Sequence, residues 1–392
     1  MYLRRTRLVC KGHQLRSRSS RWPAAAHRFS RGARNLRIAF DVSPLSHPRT
    51  GINTYIRGSL AGLAAAAGGE HEIVAFAPTS PRGLRAIPAA LEGLDVDVRV
   101  RLLPFAHHWR QTWSRLGRPA AERFLGRFDV LHFSDWMFPP QRAGVRATTV
   151  HDLVPLRFPE WVTPRTLSMH MAKYRNAFAT CDLLFCNSEF TAQDVVERLG
   201  VERGRVRVAH PGVDDRFGAE GERADLGRRY LLTVATLEPR KNLQKLVEAH
   251  RMLGQERALA IVGAEGWGDQ PQLEHEGVIR LGFVPDAELP ALYRGADAFV
   301  FPSLFEGFGI PVIEAMASGV PCVVSSHPSL DEASGDAAVR VDPESPEAIA
   351  AGIEQALAER NALGAKGSAH AARFSWLETG RIFLRAYAEK LV

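Results

Sequence analysis

The chain predicts an α/β fold built from two doubly wound, Rossmann-like domains that face each other across a cleft. Short apolar runs recur at Leu36–Asp41, Glu72–Phe76, Val98–Leu103, Val130–Phe133, Ala147–Val150 and Leu183–Cys186, with helical patterns between several of them. The first run passes into a polar loop ending at Gly51, then into a segment with Ile56, Leu60 and Leu63 on one helical face. That order, strand then glycine loop then helix, opens a doubly wound unit. The alternation then starts again at Tyr230–Ala235 and continues through Ala258–Val262, Val278–Leu281, Ala298–Phe301, Cys322–Val324 and a short run at Arg340–Val341. Parallel sheets covered by helices on both faces read this way.

The elements divide the chain into residues 1–35, 36–205, 206–375 and 376–392. The first is a basic tail. Residues 1–37 carry eleven Lys or Arg and no acid, and removing those eleven leaves 39 basic residues against 43 acidic. The formal charge of +7 therefore belongs to the tail, and the body offers no nucleic-acid face. The tail lacks the apolar segment of a secretory signal or membrane span. A disordered arm drawn to anionic lipid, a transit-like peptide and a start codon placed too early all stay open. Val206–Val213 is the expected passage into the second domain. Asn242–Leu253, Pro346–Glu359 and Ala362–Phe374 read as helices, and Trp376–Leu391 as a last amphipathic one with Ile382, Phe383, Tyr387 and Leu391. Cys10, Cys181, Cys186 and Cys322 have no metal spacing and read as buried free thiols in a reducing compartment.

The most informative stretch is Phe301-Pro-Ser-Leu-Phe-Glu306-Gly-Phe-Gly-Ile-Pro-Val-Ile-Glu314-Ala-Met-Ala-Ser-Gly-Val-Pro321. Pro311 suits the first turn of a helix, and Gly319 with Pro321 stops it. Glu314 is expected in the first helical turn and Glu306 in the loop before it. Free amides and the positive end of the helix face the same space, so the junction is an anion site with two carboxylates beside it. Thr236-Leu-Glu-Pro-Arg240-Lys241-Asn242 follows another strand and places two cations at a helix start, against the helix dipole. That placement makes sense if a diphosphate fills the gap between them and the Glu306 loop. His151 follows a strand and opens His151-Asp-Leu-Val-Pro155. At that position a histidine can bond a sugar hydroxyl or assist proton movement. His132, after another strand, is a weaker candidate near the acceptor side.

The Glu306–Glu314 stretch resembles the double-glutamate signature of retaining glycosyltransferases of the GT-B fold, family 4 (group 1), with a mannosyltransferase-like character in His-Asp-Leu-Val-Pro and Leu-Glu-Pro-Arg-Lys-Asn. The resemblance runs from about Leu36 to the end. It implies that the last helix crosses back to the first domain. It implies donor binding by Gly51, Arg240, Lys241, Val284, Phe308, Gly309, Ile310 and Glu314, with His151 and Glu306 at the reacting sugar. Glu314 would take the ribose hydroxyls, Glu306 those of the donor sugar, and the amides of Phe308, Gly309 and Ile310 the sugar and β-phosphate. Val284 would lie where the family holds the nucleobase through backbone groups. Many members carry Gly-Arg where this chain has Ala235-Thr236, so Arg240 is expected to share the phosphate role with Lys241.

The implied reaction moves a hexose from a nucleotide-diphosphate sugar to a hydroxyl of a glycan or lipid-linked acceptor. Configuration is retained, with no metal and no cofactor beyond the donor. GDP-mannose is favoured, with UDP- and dTDP-sugars open. The protein is expected in the cytoplasm, with peripheral contact to an anionic membrane as a further expectation. The stretch Trp109, Arg110, Trp113 and Arg115 reads equally as a membrane-facing segment or a partly buried helix. A nucleotide-sugar epimerase of the same fold and a non-catalytic glycan-assembly subunit are the alternatives.

Overall fold

A computed structural model describes residues 35–391 apart from 48–49, 104, 135–136, 255 and 267–272, and only the backbone at 107. Most of the basic tail, Cys10 and part of the loop before Gly51 lie outside these residues. The first sheet contains β1 (Arg37–Asp41), β2 (Glu72–Thr79), β3 (Asp97–Leu102), β4 (Val130–Phe133), β5 (Val145–Val150), β6 (Leu183–Cys186) and β7 (Val206–Val208). They lie side by side as β3-β2-β1-β4-β5-β6-β7. The second sheet contains β8 (Tyr230–Val234), β9 (Ala258–Val262), β10 (Val278–Gly282), β11 (Ala298–Phe301), β12 (Cys322–Ser325) and β13 (Ala338–Val341), in the order β10-β9-β8-β11-β12-β13. Every pairing is parallel. The central strands of both sheets are buried almost throughout because helices cover both faces.

β7 pairs with β6, so the run expected to open the second domain closes the first sheet instead. The division between the sheets therefore falls after Val208. A three-residue strand beside a linker gives no periodic signal that assigns it to one sheet or the other. Asp214, in that linker, accepts from the Arg216 amide and caps the turn Asp215–Phe217.

The helix Trp376–Leu391 lies on the helix Gly51–Ala67 of the first domain. Glycines make the approach possible. A Cβ on Gly62 would fall 1.7 Å from the Trp376 carbonyl oxygen, and one on Gly380 2.1 Å from the Gly62 oxygen. Trp376, Phe383 and Tyr387 join the first domain's core. Cys181, Cys186 and Cys322 are buried free thiols whose ionisation burial pushes up.

In each sheet the order reverses beside the first strand of the domain, at β1/β4 and at β8/β11. Crevices open beyond the carboxyl ends of strands at such points. The loops after β8 and β11 carry Arg240–Lys241 and Glu306, so adjacent strands bring them together.

Candidate active site

The loop after β8 turns through Pro239–Lys241 and reaches Asn242 in a left-handed conformation, φ 56°. The Asn242 amide donates to the carbonyls of Pro302 (3.1 Å) and Pro343 (2.7 Å), which hold this turn against the end of β11. The Leu304 amide donates to the Arg240 carbonyl at 2.9 Å. Two loops 60 residues apart in sequence thereby become one rigid floor. The cations sit in this separate turn, and the helix behind it begins only at Leu243.

Both oxygens of Glu306 are occupied. Lys241 Nζ donates to Oε1 at 2.6 Å and Arg240 Nη1 to Oε2 at 2.8 Å. Arg240 also pairs with the buried Glu238 at 2.9 Å, whose Oε1 accepts from the Thr236 hydroxyl at 2.6 Å. Burial alone would push the Glu306 carboxyl up. The Arg240 and Lys241 cations outweigh it and hold it at about 2. Burial opposes the Arg240 charge, and Glu306, Glu238 and Asp152 more than offset that. Lys241 is pushed down, first by burial and then by the Arg240 charge. The sequence suggested cations for a phosphate and a separate carboxylate for a sugar. The structure joins them in one buried cluster of two cations and two carboxylates. A carboxylate held this far below neutrality, with both oxygens bonded, is a weak nucleophile.

The helix after Glu306 runs Ile310–Ala317, with Gly309 at φ 105° before it and Pro311 in its first turn. Glu314 is its fifth residue, in the second turn rather than the first. It is buried, and Tyr293 Oη donates to its Oε2 at 3.1 Å. The amides of Phe308 and Gly309, both buried residues, donate to no group among the described residues. Unpaired buried amides at a helix start form an anion site. Ile310 is the first helical residue and touches the apolar clusters of both domains.

Gly307 sits where the domains meet. A Cβ there would lie 2.0 Å from the His151 carbonyl oxygen. The Ser188 and Thr191 hydroxyls donate to the Gly307 carbonyl at 2.6 and 3.1 Å. The segment after β5 thus lies against the Glu306 loop. His151 Nε2 is buried with no hydrogen-bond partner. Burial, then the charges of Lys173 and His170, push the ring down to about 3. Burial therefore favours the neutral form of the ring. Asp152 beside it was not singled out from the sequence.

Gly51 begins the helix Gly51–Ala67 rather than ending a loop. An added Cβ would meet nothing within 4 Å, so packing within the protein leaves that position open. Val284 is half-buried in the loop after β10, against the second domain's core. His132 is not in the cleft. It lies in the core, with Nδ1 2.6 Å from Tyr387 Oη and Nε2 2.8 Å from Thr149 Oγ1. A four-residue strand buried on both faces gives no indication of which side chains reach the cleft.

Tyr293 and Glu238 were also missed. The only signal for Glu238 was its place two residues before Arg240, and nothing local points to Tyr293.

Residues 217–370 match the family described as glycosyl transferases group 1, and residues 49–217 match Glycosyltransferase Family 4. The chain is 30% identical over 382 residues to the O-antigen chain mannosyltransferase B of Escherichia coli, spanning 90% of this chain and 99% of that one. Solved structures share the fold. Sucrose-phosphate synthase from Thermosynechococcus elongatus aligns over 91% of this chain and 99% of its own, with a TM-score of 0.68 and 18% identity. Anabaena HepE, in complex with UDP-glucose, aligns over 90% and 99%, with a TM-score of 0.66 and 16% identity. With its two facing Rossmann-like domains, the chain belongs to the group 1, family 4 glycosyltransferases of the GT-B fold.

Proposed function

We propose that this glycosyltransferase moves a hexose, mannose from GDP-mannose foremost, to a hydroxyl of a glycan or lipid-linked acceptor, with retention and without a metal ion. The observation that carries the reading is the buried Arg240–Lys241–Glu306 cluster beside the unpaired amides of Phe308 and Gly309. Two fixed cations and a helix start can neutralise a departing diphosphate, the task a metal performs elsewhere. The choice of mannose draws on the named activity of the Escherichia coli relative.

In this reading the diphosphate lies across the amides of Phe308, Gly309 and Ile310 and draws Arg240 and Lys241 toward it. Glu306 is then released to accept hydroxyls of the donor sugar. Glu314, oriented by Tyr293, takes the ribose. Gly51 lets backbone approach the donor, and the backbone near Val284 holds the base. Neutral His151 bonds the sugar from the first domain. The acceptor proton passes to the leaving phosphate on the same face of the sugar. A panel of nucleotide sugars, read by nucleotide release, tests this. GDP-mannose should be turned over fastest, and Glu306→Ala and Lys241→Ala should each lower turnover at least tenfold. Wild-type turnover in both variants would refute the site.

The reading extends to a cytoplasmic enzyme resting on an anionic membrane. Among the described residues no helix is long and apolar enough to cross one. Support comes from the helix Ala106–Leu116. Phe105, Trp109 and Leu116 are 83, 50 and 63% exposed beside the exposed Arg115 and Arg118, whereas Trp113 and Arg110 are buried. Interfacial aromatics flanked by arginines fit a lipid headgroup layer. Sedimentation with phosphatidylglycerol vesicles in about 1 M salt screens charge beyond about 3 Å and isolates apolar insertion from the tail's electrostatics. Binding should persist there and fall severalfold in a Trp109→Ser, Leu116→Ser variant.

A further inference from the structure

We propose that Asp152 is an acceptor-binding residue, its carboxylate taking the hydrogen bond of an acceptor sugar hydroxyl. The inference rests on the glycosyl-transfer reading above. Asp152 follows β5 in the first domain, directly after His151, whose carbonyl abuts Gly307 of the donor loop. Two contacts fix it. Oδ1 accepts from the Val154 amide at 2.9 Å, and Tyr174 Oη donates to the Asp152 carbonyl at 3.0 Å. Among the described residues no donor reaches Oδ2, and the residue is largely but not fully buried. The result is an oriented carboxylate with one oxygen open, within the field of Arg240 and Glu306 across the cleft.

The chemistry narrows the ligand. A carboxylate repels a diphosphate, so Asp152 is no part of the phosphate grip. With Oδ1 committed to a backbone amide, Oδ2 is an acceptor only, and it matches a hydroxyl. The donor-side hydroxyls already have Glu306, Glu314 and His151. A group on the first domain's side of the cleft is left for the second substrate. Burial raises the Asp152 carboxyl and the Arg240 charge partly restores its ionisation, as expected for a group that exchanges water for a hydroxyl when substrate enters.

The test compares wild type with Asp152→Asn and Asp152→Ala, using GDP-mannose as donor and methyl α-mannoside as acceptor, with GDP affinity measured separately by calorimetry. Asp152→Asn keeps the Val154 contact and guards against misfolding. Acceptor KM should rise roughly tenfold in Asp152→Asn and more in Asp152→Ala, in line with loss of a hydrogen bond to a charged group. GDP affinity should stay within twofold. In wild type, acceptor KM should also rise as pH falls into the raised titration range of Asp152, and this dependence should vanish in Asp152→Asn. An unchanged acceptor KM, a matching loss of GDP affinity, or a pH dependence that survives in Asp152→Asn overturns the assignment. Absence of wild-type transfer to any acceptor would instead refute the glycosyl-transfer reading.

Discussion

The two domains touch along two seams of opposite character. At the back, the helix Trp376–Leu391 lies on Gly51–Ala67 with backbone against backbone. Gly58, Gly62, Gly212 and Gly380 each leave no room for a Cβ. A polar link across this seam is buried, between His132 and Tyr387. At the front, the contacts are polar and titratable. Glu332 accepts from the amides of Glu189 (2.8 Å) and Phe190 (3.0 Å) at the start of a first-domain helix, and lies 2.6 Å from His210 Nε2. Ser188 and Thr191 bond the Gly307 carbonyl beside it. A glycine-lined dry seam has one arrangement, because close-packed surfaces do not deform continuously. A seam of hydrogen bonds can exchange its partners for water at little net cost. The candidate chemistry lies on the seam that can open.

The largest effect should come from Glu306, at the front. Glu306→Ala strands the buried Lys241 and leaves Arg240 with Glu238 alone, and removing one partner of a buried pair costs about 3–5 kcal/mol. Turnover should fall roughly 100-fold or more. Denaturant melts and nucleotide release measure the two losses, and a variant with full stability would show that the cluster is not electrostatically coupled. Next is the back seam. Gly62→Val drives a branched side chain into the Trp376 backbone and should cost about 3 kcal/mol or more. If the melting temperature stays unchanged, the seam is not closely packed.

A smaller effect is expected at the front clasp. Burial would raise the Glu332 carboxyl, but its bonds with His210 and the two amides hold it below the usual value of 4.5. A depressed carboxylate contributes stability above its unfolded pKa and loses it as pH falls through the folded one. Glu332→Gln should therefore cost about 1 kcal/mol at pH 7, since the carboxylate is partly exposed. The difference from wild type should shrink below about pH 4.5. Equal loss at both pH values would mean that the clasp is shape and not charge.

The contrast also marks what the sequence could express. Strands of a doubly covered parallel sheet are continuous apolar runs, so β4, β6, β9 and β11 are legible to the residue. The end of the Ile310–Ala317 helix is legible too, because Gly319 takes φ 72° ahead of Pro321. The composition of the cluster was legible as residue types on loops after strands, but the partners were not. Glu306 meets Lys241 across 65 positions and Glu314 meets Tyr293 across 21, and no local period encodes such pairs. His151 follows β5 and lies at the cleft, whereas His132 is the third residue of β4 and lies in the core against the last helix.

Those two histidines give the finest test of the two seams. Burial pushes both down to about 3, from an ordinary 6.5. Below about pH 6.5 the unfolded chain takes up protons that the folded chain refuses until about pH 3. Stability should therefore decline with acidity over that window, by up to about 1.4 kcal/mol per pH unit for each group. His132→Asn, at the back, should lower stability at pH 7 by removing the Tyr387 and Thr149 partners and flatten this decline, with kcat unchanged. His151→Asn, at the front, should flatten the decline equally but lower turnover about tenfold. It should leave the shape of the kcat/KM profile between pH 6 and 8 as in wild type, because a neutral ring has no proton to lose there. An inflection near pH 6.5 that disappears in His151→Asn would show that the ring titrates during catalysis and that the front seam admits water to it.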